Sequence, residues 1–185
     1  MSQGAEVLRK EAPSPTFWAV TWRATIVHSV TYLAAGIVAL ILLDYGELFG
    51  TGHFDFIRSV DDPLVMAGPL FQPLRGLLFG VVFYLLRASW YGKTHGWLTM
   101  WITLIFLGVF ATFGPAIGSL EGFVYTTIPI QRQLLGWSEV LPQALLLAAI
   151  TVYWVAHPKN RWLNWGLGII FAASLVLPAM GLMFG

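Results

Sequence analysis

Cysteine is missing from all 185 residues, which excludes disulfides, thiolate zinc sites, iron–sulfur ligation and thiol nucleophiles. Charge is scarce as well: Asp, Glu, Lys and Arg make up 10% of the chain, against roughly 25% in soluble domains. There is no glycine-rich phosphate loop, no G-x-G-x-x-G, no H-E-x-x-H and no EF-hand spacing. No basic stripe offers a nucleic-acid footprint. Ser119 and Ser138 have no His-Asp pair near them in sequence, so a hydrolase triad is unsupported. These absences lean away from an enzyme and assign no metal site and no particular cofactor.

What is there is hydrophobic: 57% of the chain, gathered into five stretches each about long enough to cross a bilayer. Crossing about 30 Å of hydrocarbon takes about 20 helical residues. The expected spans are Phe17–Leu43, Gly68–Leu86, Trp97–Phe113, Val140–Ala156 and Trp162–Phe184. The third is the cleanest, with no ionisable residue. Lipid-exposed backbone must satisfy its own hydrogen bonds, and barrel-type alternation is absent, so the spans read as helices. The fold class is therefore all-α, a polytopic membrane bundle of five helices. Residues 1–16 form a polar cytoplasmic segment, and 17–185 a single transmembrane domain with outer links at 44–67 and 114–139. The first apolar stretch is too long for a secretory signal.

Lys and Arg set the orientation. With the N-terminus in the cytoplasm, the inner side receives Arg9, Lys10, Arg23, Arg87, Lys93, Lys159 and Arg161, and the outer side only Arg58, Arg75 and Arg132. Asp44, Glu47, Asp55, Asp61, Asp62, Glu121 and Glu139 then lie outside, as does the C-terminus. Trp97, Trp101, Trp162 and Trp165 fall near inner helix ends, where amphipathic rings favour the headgroup level. The inner links are short, which predicts antiparallel hairpins of spans two with three and four with five. Each hairpin enters through a proline (Pro73, Pro142) and returns with a Trp-Leu pair, the pattern of a parallel repeat.

Arg75 is the residue most in need of a partner. It sits about 10 Å inside the outer start of span two at the helical rise. An arginine within a span costs at least about 2.5–3.5 kcal/mol on insertion scales. The anions in reach by topology are Glu121 and Glu139, which predicts a salt bridge to one of them. Gln143, a turn beyond Glu139, shares its face, and Arg132, Tyr125 and Thr126 complete a polar cluster on the outer half. This cluster reads either as a register-fixing ion pair or as a ligand pocket.

His28 is the only histidine deep within a span. Thr21, Thr25, His28 and Tyr32 share one face of span one, with Arg23 snorkelling toward the inner headgroups. His28 reads as an interhelical hydrogen-bonding residue or as a single axial ligand to a haem or chlorin. In the first outer link His53 and Asp55, with Asp44, Glu47, Asp61 and Asp62, could face a divalent cation, although a solvated acidic loop accounts for them. Gly36, Gly76 with Gly80, and Gly168 with Ala172 make small-xxx-small surfaces for close helix approach.

Arg75-Gly76-Leu77-Leu78-Phe79 and Gly118-Ser119-Leu120-Glu121-Gly122-Phe123-Val124-Tyr125-Thr126 resemble segments of a group of small bacterial polytopic membrane proteins without an assigned activity. The resemblance covers spans two to four and implies a multi-pass membrane protein, with attention on Arg75 and Glu121.

Three functions fit these residues. The first is a non-catalytic subunit or accessory protein of a larger membrane assembly, its partners being lipids and other membrane subunits or a second copy. The second is a small-solute or ion transporter or receptor using the Arg75/Glu121/Glu139 cluster. The third is a redox subunit holding quinone, haem or pigment near His28.

Overall fold

The computed structural model describes residues 14–42, 58 and 62–184, and among these every regular element is helical. In chain order they are α1 (Phe17–Leu42), α2 (Pro63–Met66), α3 (Gly68–Leu85), α4 (Arg87–Trp90), α5 (Gly96–Ile105), α6 (Leu120–Tyr125), α7 (Ile130–Ala156) and α8 (Arg161–Phe184). Four of them, α1, α3, α7 and α8, are long and apolar enough to cross a membrane.

The stretch that reads as the cleanest span is the one that falls short. α5 continues as a π-helical turn over Phe106–Phe110, and the Ala111 N–H closes that turn on the Phe106 carbonyl at 2.8 Å. Gly114 and Pro115 follow, and the helical run ends at Phe110 rather than at Phe113. The fourth stretch goes the other way. α7 starts at Ile130, directly after Pro129, so part of the expected 114–139 link is helix. Pro142, expected at the entry of that span, lies inside α7, as Pro73 and Pro178 lie inside α3 and α8.

α1 is the axis of the bundle. It packs on α3, α7 and α8, while α5 packs mainly on α7. A helix covered on several sides needs apolar residues all round, which is how α1 reads. Its Val20, Ala24 and Val27 meet Phe83, Met100, Leu147, Ala148 and Trp154 in the core. α8, by contrast, buries only Ser174.

The α1–α3 seam is the tightest. A Cβ at Gly76 would lie 2.7 Å from the Thr25 Cα, and one at Gly80 would lie 2.6 Å from the Thr21 Cα. Backbone meets backbone there, as the Gly76/Gly80 spacing predicts. The other small-residue faces are not used this way: nothing lies within 4 Å of a Cβ at Gly36 or Gly168. These pairings also give directions. Gly76 meets Thr25 while Gly80 meets Thr21, so α3 runs antiparallel to α1. Arg23 lies over Trp154 at 5.5 Å while Ala34 and Ala35 share a cleft with Glu139 and Gln143, so α7 is antiparallel to α1 as well.

The expected hairpins are splayed. Spans two and three have little direct packing, and so do spans four and five; the third packs on the fourth, and the fifth on the first and second. α7 and α8 stay tied at their junction, where Trp154 Nε1 donates to Asn164 Oδ1 at 2.7 Å. A short link fixes where two helices meet, but the small-residue seam on α1 decides what α3 packs on.

At the other end, Asp62 caps α2. Its carboxylate accepts from the Leu64 N–H at 2.8 Å and from Arg58 Nη1 at 2.9 Å. The Arg58 hydrogen bond, then the Leu64 one, hold its carboxyl below the ordinary range, so the cap survives mild acid and is lost as pH falls through that lowered value.

Candidate functional site

α1 carries a file of hydroxyls and one imidazole into the bundle. Thr21, Thr25, His28, Ser29 and Thr31 are all buried. Thr25, Ser29 and Thr31 satisfy themselves locally, donating to the carbonyls of Thr21, Thr25 and Val27 at 2.8–2.9 Å. That back-bonding is the usual resolution for a hydroxyl inside a helix.

His28 is 2% exposed and reaches across to α3, where its Nε2 lies 3.1 Å from Gln72 Oε1. Facing a carbonyl oxygen, Nε2 carries the proton, which leaves Nδ1 as an acceptor. Nδ1 is buried and has no hydrogen-bond partner among the described residues. Gln72 is held in turn by donating to the Gly68 carbonyl at 3.2 Å. The ring packs against Phe79 at 4.9 Å and lies beside the Gly76 seam. A tetrapyrrole approaching either nitrogen would have to part α1 from α3, so the geometry speaks against axial ligation and for an interhelical bond.

The polar residues expected on the outer half assemble only in part. Among the described residues the one ion pair within 4.0 Å is Arg58–Asp62, and the expected salt bridge from Arg75 to Glu121 or Glu139 is not made. The physical reason is the seam. Gly76 must face α1, which turns its neighbour Arg75 outward with the exposed Leu74, Leu77 and Leu78. The guanidinium rests 5.8 Å from the Phe79 ring centre. Glu121 sits in the first turn of α6, Tyr125 at its exposed end, and Arg132 half-buried at the start of α7. No hydrogen bond or ion pair joins those three to Arg75.

Glu139 and Gln143 belong instead to a cleft of about 280 Å³ between the C-terminal half of α1 and α7. Ala34, Ala35 and Ala39 form one wall, and Ser138, Glu139 and Gln143 line the other. Small side chains on α1 open the space, and Pro142, also on the cleft, cannot give an N–H to the Ser138 carbonyl.

The link before α7 is built around a residue the sequence does not advertise. Gln133 is 1% exposed. Its Nε2 donates to the carbonyls of Gly122 and Ile128, both at 3.1 Å, and its Oε1 accepts from the Gly118 N–H at 3.3 Å. Gly118 turns the chain with φ +81°, a conformation natural only to glycine, and its carbonyl accepts from Trp137 Nε1 at 3.0 Å. Ser119 caps α6 by accepting from the Gly122 N–H at 2.9 Å. The Gly118–Thr126 segment singled out by resemblance is thus a folded plug, and Glu121 is not what holds it. The helix starts Ile130-Gln131-Arg132-Gln133, and nothing in that run singles out Gln133 from its polar neighbours.

Arg23, expected to snorkel toward the headgroups, is tied down at its end of the bundle. Its Nη1 donates to the Ala19 carbonyl at 2.9 Å, and the guanidinium lies over Trp154. Trp162 and Trp165 are exposed, whereas Trp101 donates to the Leu141 carbonyl at 3.1 Å. The acidic link with His53 and Asp55 lies outside the described residues, and among those described no cluster suits a metal. Comparison with protein-family models, curated proteins and solved structures finds no match to this chain.

Proposed function

We propose that this chain is a non-catalytic integral membrane subunit or accessory protein, working in a larger assembly of the cell membrane. The observation that carries the reading is Arg75, a cation on the exposed apolar face of α3 with no carboxylate from the described residues on it. Left to lipid, such a residue is costly, and a neighbouring chain's acidic group is the natural remedy. The long uncovered faces of α8 and the unused small residues Gly36 and Gly168 agree with it.

Arg75→Ala should leave the melting temperature of the isolated chain in detergent nearly unchanged, within about 0.5 kcal/mol as for surface substitutions. The same change should remove the chain from its native assembly, seen as a loss of high-mass species on gentle solubilisation. A large drop in melting temperature would mean that Arg75 holds this chain together instead.

The proposed topology has five passes, the N-terminus inside and the C-terminus outside. α3 and α7 both run opposite to α1, so the chain must return between them, and Gly96–Phe110 is the segment available to do it. A cysteine at exposed Thr127 should react with an impermeant thiol reagent from outside, and one at exposed Thr94 should not. Reversed labelling would invert the topology. Ser119, 0% exposed, would be a misleading position for this test.

A transporter or receptor is the second reading, favoured by the cleft beside Glu139 and Gln143. It predicts solute flux or binding by the chain alone in liposomes, which the assembly reading does not.

A further inference from the structure

We propose that the exposed stripe of α3 docks one transmembrane helix of a different chain, a helix that carries an Asp or Glu near the middle of its span. The proposal rests on the membrane-subunit reading and adds the kind of partner. Phe71, Leu74, Leu78, Val82 and Leu85 are all exposed, and they recur at the three- and four-residue steps that line one side of a helix. Such a stripe suits a second helix laid along it. Arg75 lies in it, exposed, with its guanidinium beside the Phe79 ring. It is the only charged residue between Pro63 and Leu86.

Depth decides what can answer that charge. Gly76 faces the Thr25 backbone, and α1 runs from Phe17 to Leu42. At the helical rise Thr25 is about 12 Å from one end of α1 and about 26 Å from the other. On α3 itself Arg75 is about 10 Å from Gly68, and exposed Leu64, Val65 and Met66 carry apolar surface further out. Across about 30 Å of hydrocarbon, the guanidinium is therefore well inside both layers of phosphates. A headgroup reaches it only by drawing phosphate and water inward, which is what makes an arginine in a span costly. A carboxylate on a neighbouring helix meets it at its own depth.

A second copy has no carboxylate to give there. Two copies inserted the same way hold each residue at one depth. Glu139 lies beside Ala35 and Val38, about 15 Å along α1 from Thr25, and it already has a partner. Asp62 is engaged by Arg58 and the Leu64 N–H, ahead of α3. Glu121 sits in α6, ahead of α7. These three are the carboxylates of the described residues, and none is level with Arg75.

The test places the full chain in phosphatidylcholine vesicles, with a donor dye on Thr94→Cys, an exposed position in a chain without native cysteine. Acceptor-labelled leucine helices of membrane length carry a glutamate at the centre, a glutamate one turn from the end, or leucine throughout. Energy transfer reads association. The centre-glutamate helix should bind at least tenfold more tightly than the other two. Arg75→Ala should erase that preference, and Arg75→Lys should keep most of it. Should Arg75→Ala fail to fold, the wild-type preference for centre over end still decides. No such preference, or one that survives Arg75→Ala, would overturn the proposal. Loss of the preference on adding phosphatidylglycerol would also overturn it, giving the site to lipid. So would Arg75-dependent transfer between two labelled copies, giving it to a second copy. The assembly reading is judged separately, on the high-mass species of native membranes, so the two failures are told apart.

Discussion

Gly80→Leu should break the central helix pair, and even Gly80→Ala should be clearly destabilising. The hydrogen on Gly80 faces the Thr21 backbone, where a Cβ would sit 2.6 Å from the Cα and 2.9 Å from the carbonyl oxygen. No rotamer relieves a clash with backbone, so α3 must back away from α1 along its length. Overpacking of this kind costs about 1–3 kcal/mol for a small addition and more for a large one. The retreat would also open the His28–Gln72 bond about two turns away, stranding a buried imidazole beside an amide. Gly36→Ala and Gly168→Ala, with open space around them, should stay within about 0.5 kcal/mol of wild type. Thermal or detergent-titrated unfolding of the four variants side by side checks this, and equal stability of Gly80→Leu and Gly36→Ala would show that the seam is not what holds the pair.

The second large effect is expected at Gln133. Replacing it by Leu keeps the volume but strands the Gly118 N–H and the Ile128 carbonyl, both inside the plug. At about 1–3 kcal/mol for each of the two buried groups left without a partner, the loss is on the order of 2–6 kcal/mol. It should be local first: limited proteolysis between Thr112 and Pro129 should accelerate well before the helices unfold. Gln133→Glu keeps an acceptor for Gly118 but loses both donations from Nε2, so it should fall between wild type and Gln133→Leu. Unchanged cleavage in Gln133→Leu would mean that Trp137 and Ser119 hold the plug by themselves.

Much of this architecture can be read in the residues. Apolar runs of the right length give α1, α3, α7 and α8, and the Gly76/Gly80 spacing gives the one seam where backbones touch. The Thr21–Thr25–His28–Tyr32 face also points where its polarity requires, toward α3. What escapes is everything that depends on which way a helix is turned. Arg75 and Gly76 are neighbours, so a face that puts the glycine on α1 puts the arginine outside, and hydropathy is blind to that rotation. Neighbour order escapes for a related reason: loop length brings helix ends together but has little hold on their middles. Gln133 escapes because an amide holding backbone groups has no spacing rule. Glu139 and Gln143 are legible as a pair on one face, while no spacing rule marks Ala34, Ala35 and Ala39 opposite them on α1.

In the proposed five-pass topology the π-turn that closes off α5 makes one crossing short. Gly96–Phe110, at about 1.5 Å per residue, reaches about 22 Å, against about 30 Å of hydrocarbon. The flank of the protein formed by α5 is therefore shorter than the flank formed by α8. In that proposed topology, a bilayer around the protein would be thinner beside α5 than beside α8. That mismatch costs fractions of a kcal/mol for each ångström, paid wherever lipid touches α5 and relieved by thinner membrane. A molecule of uneven height carries its own preference for where in a membrane it comes to rest.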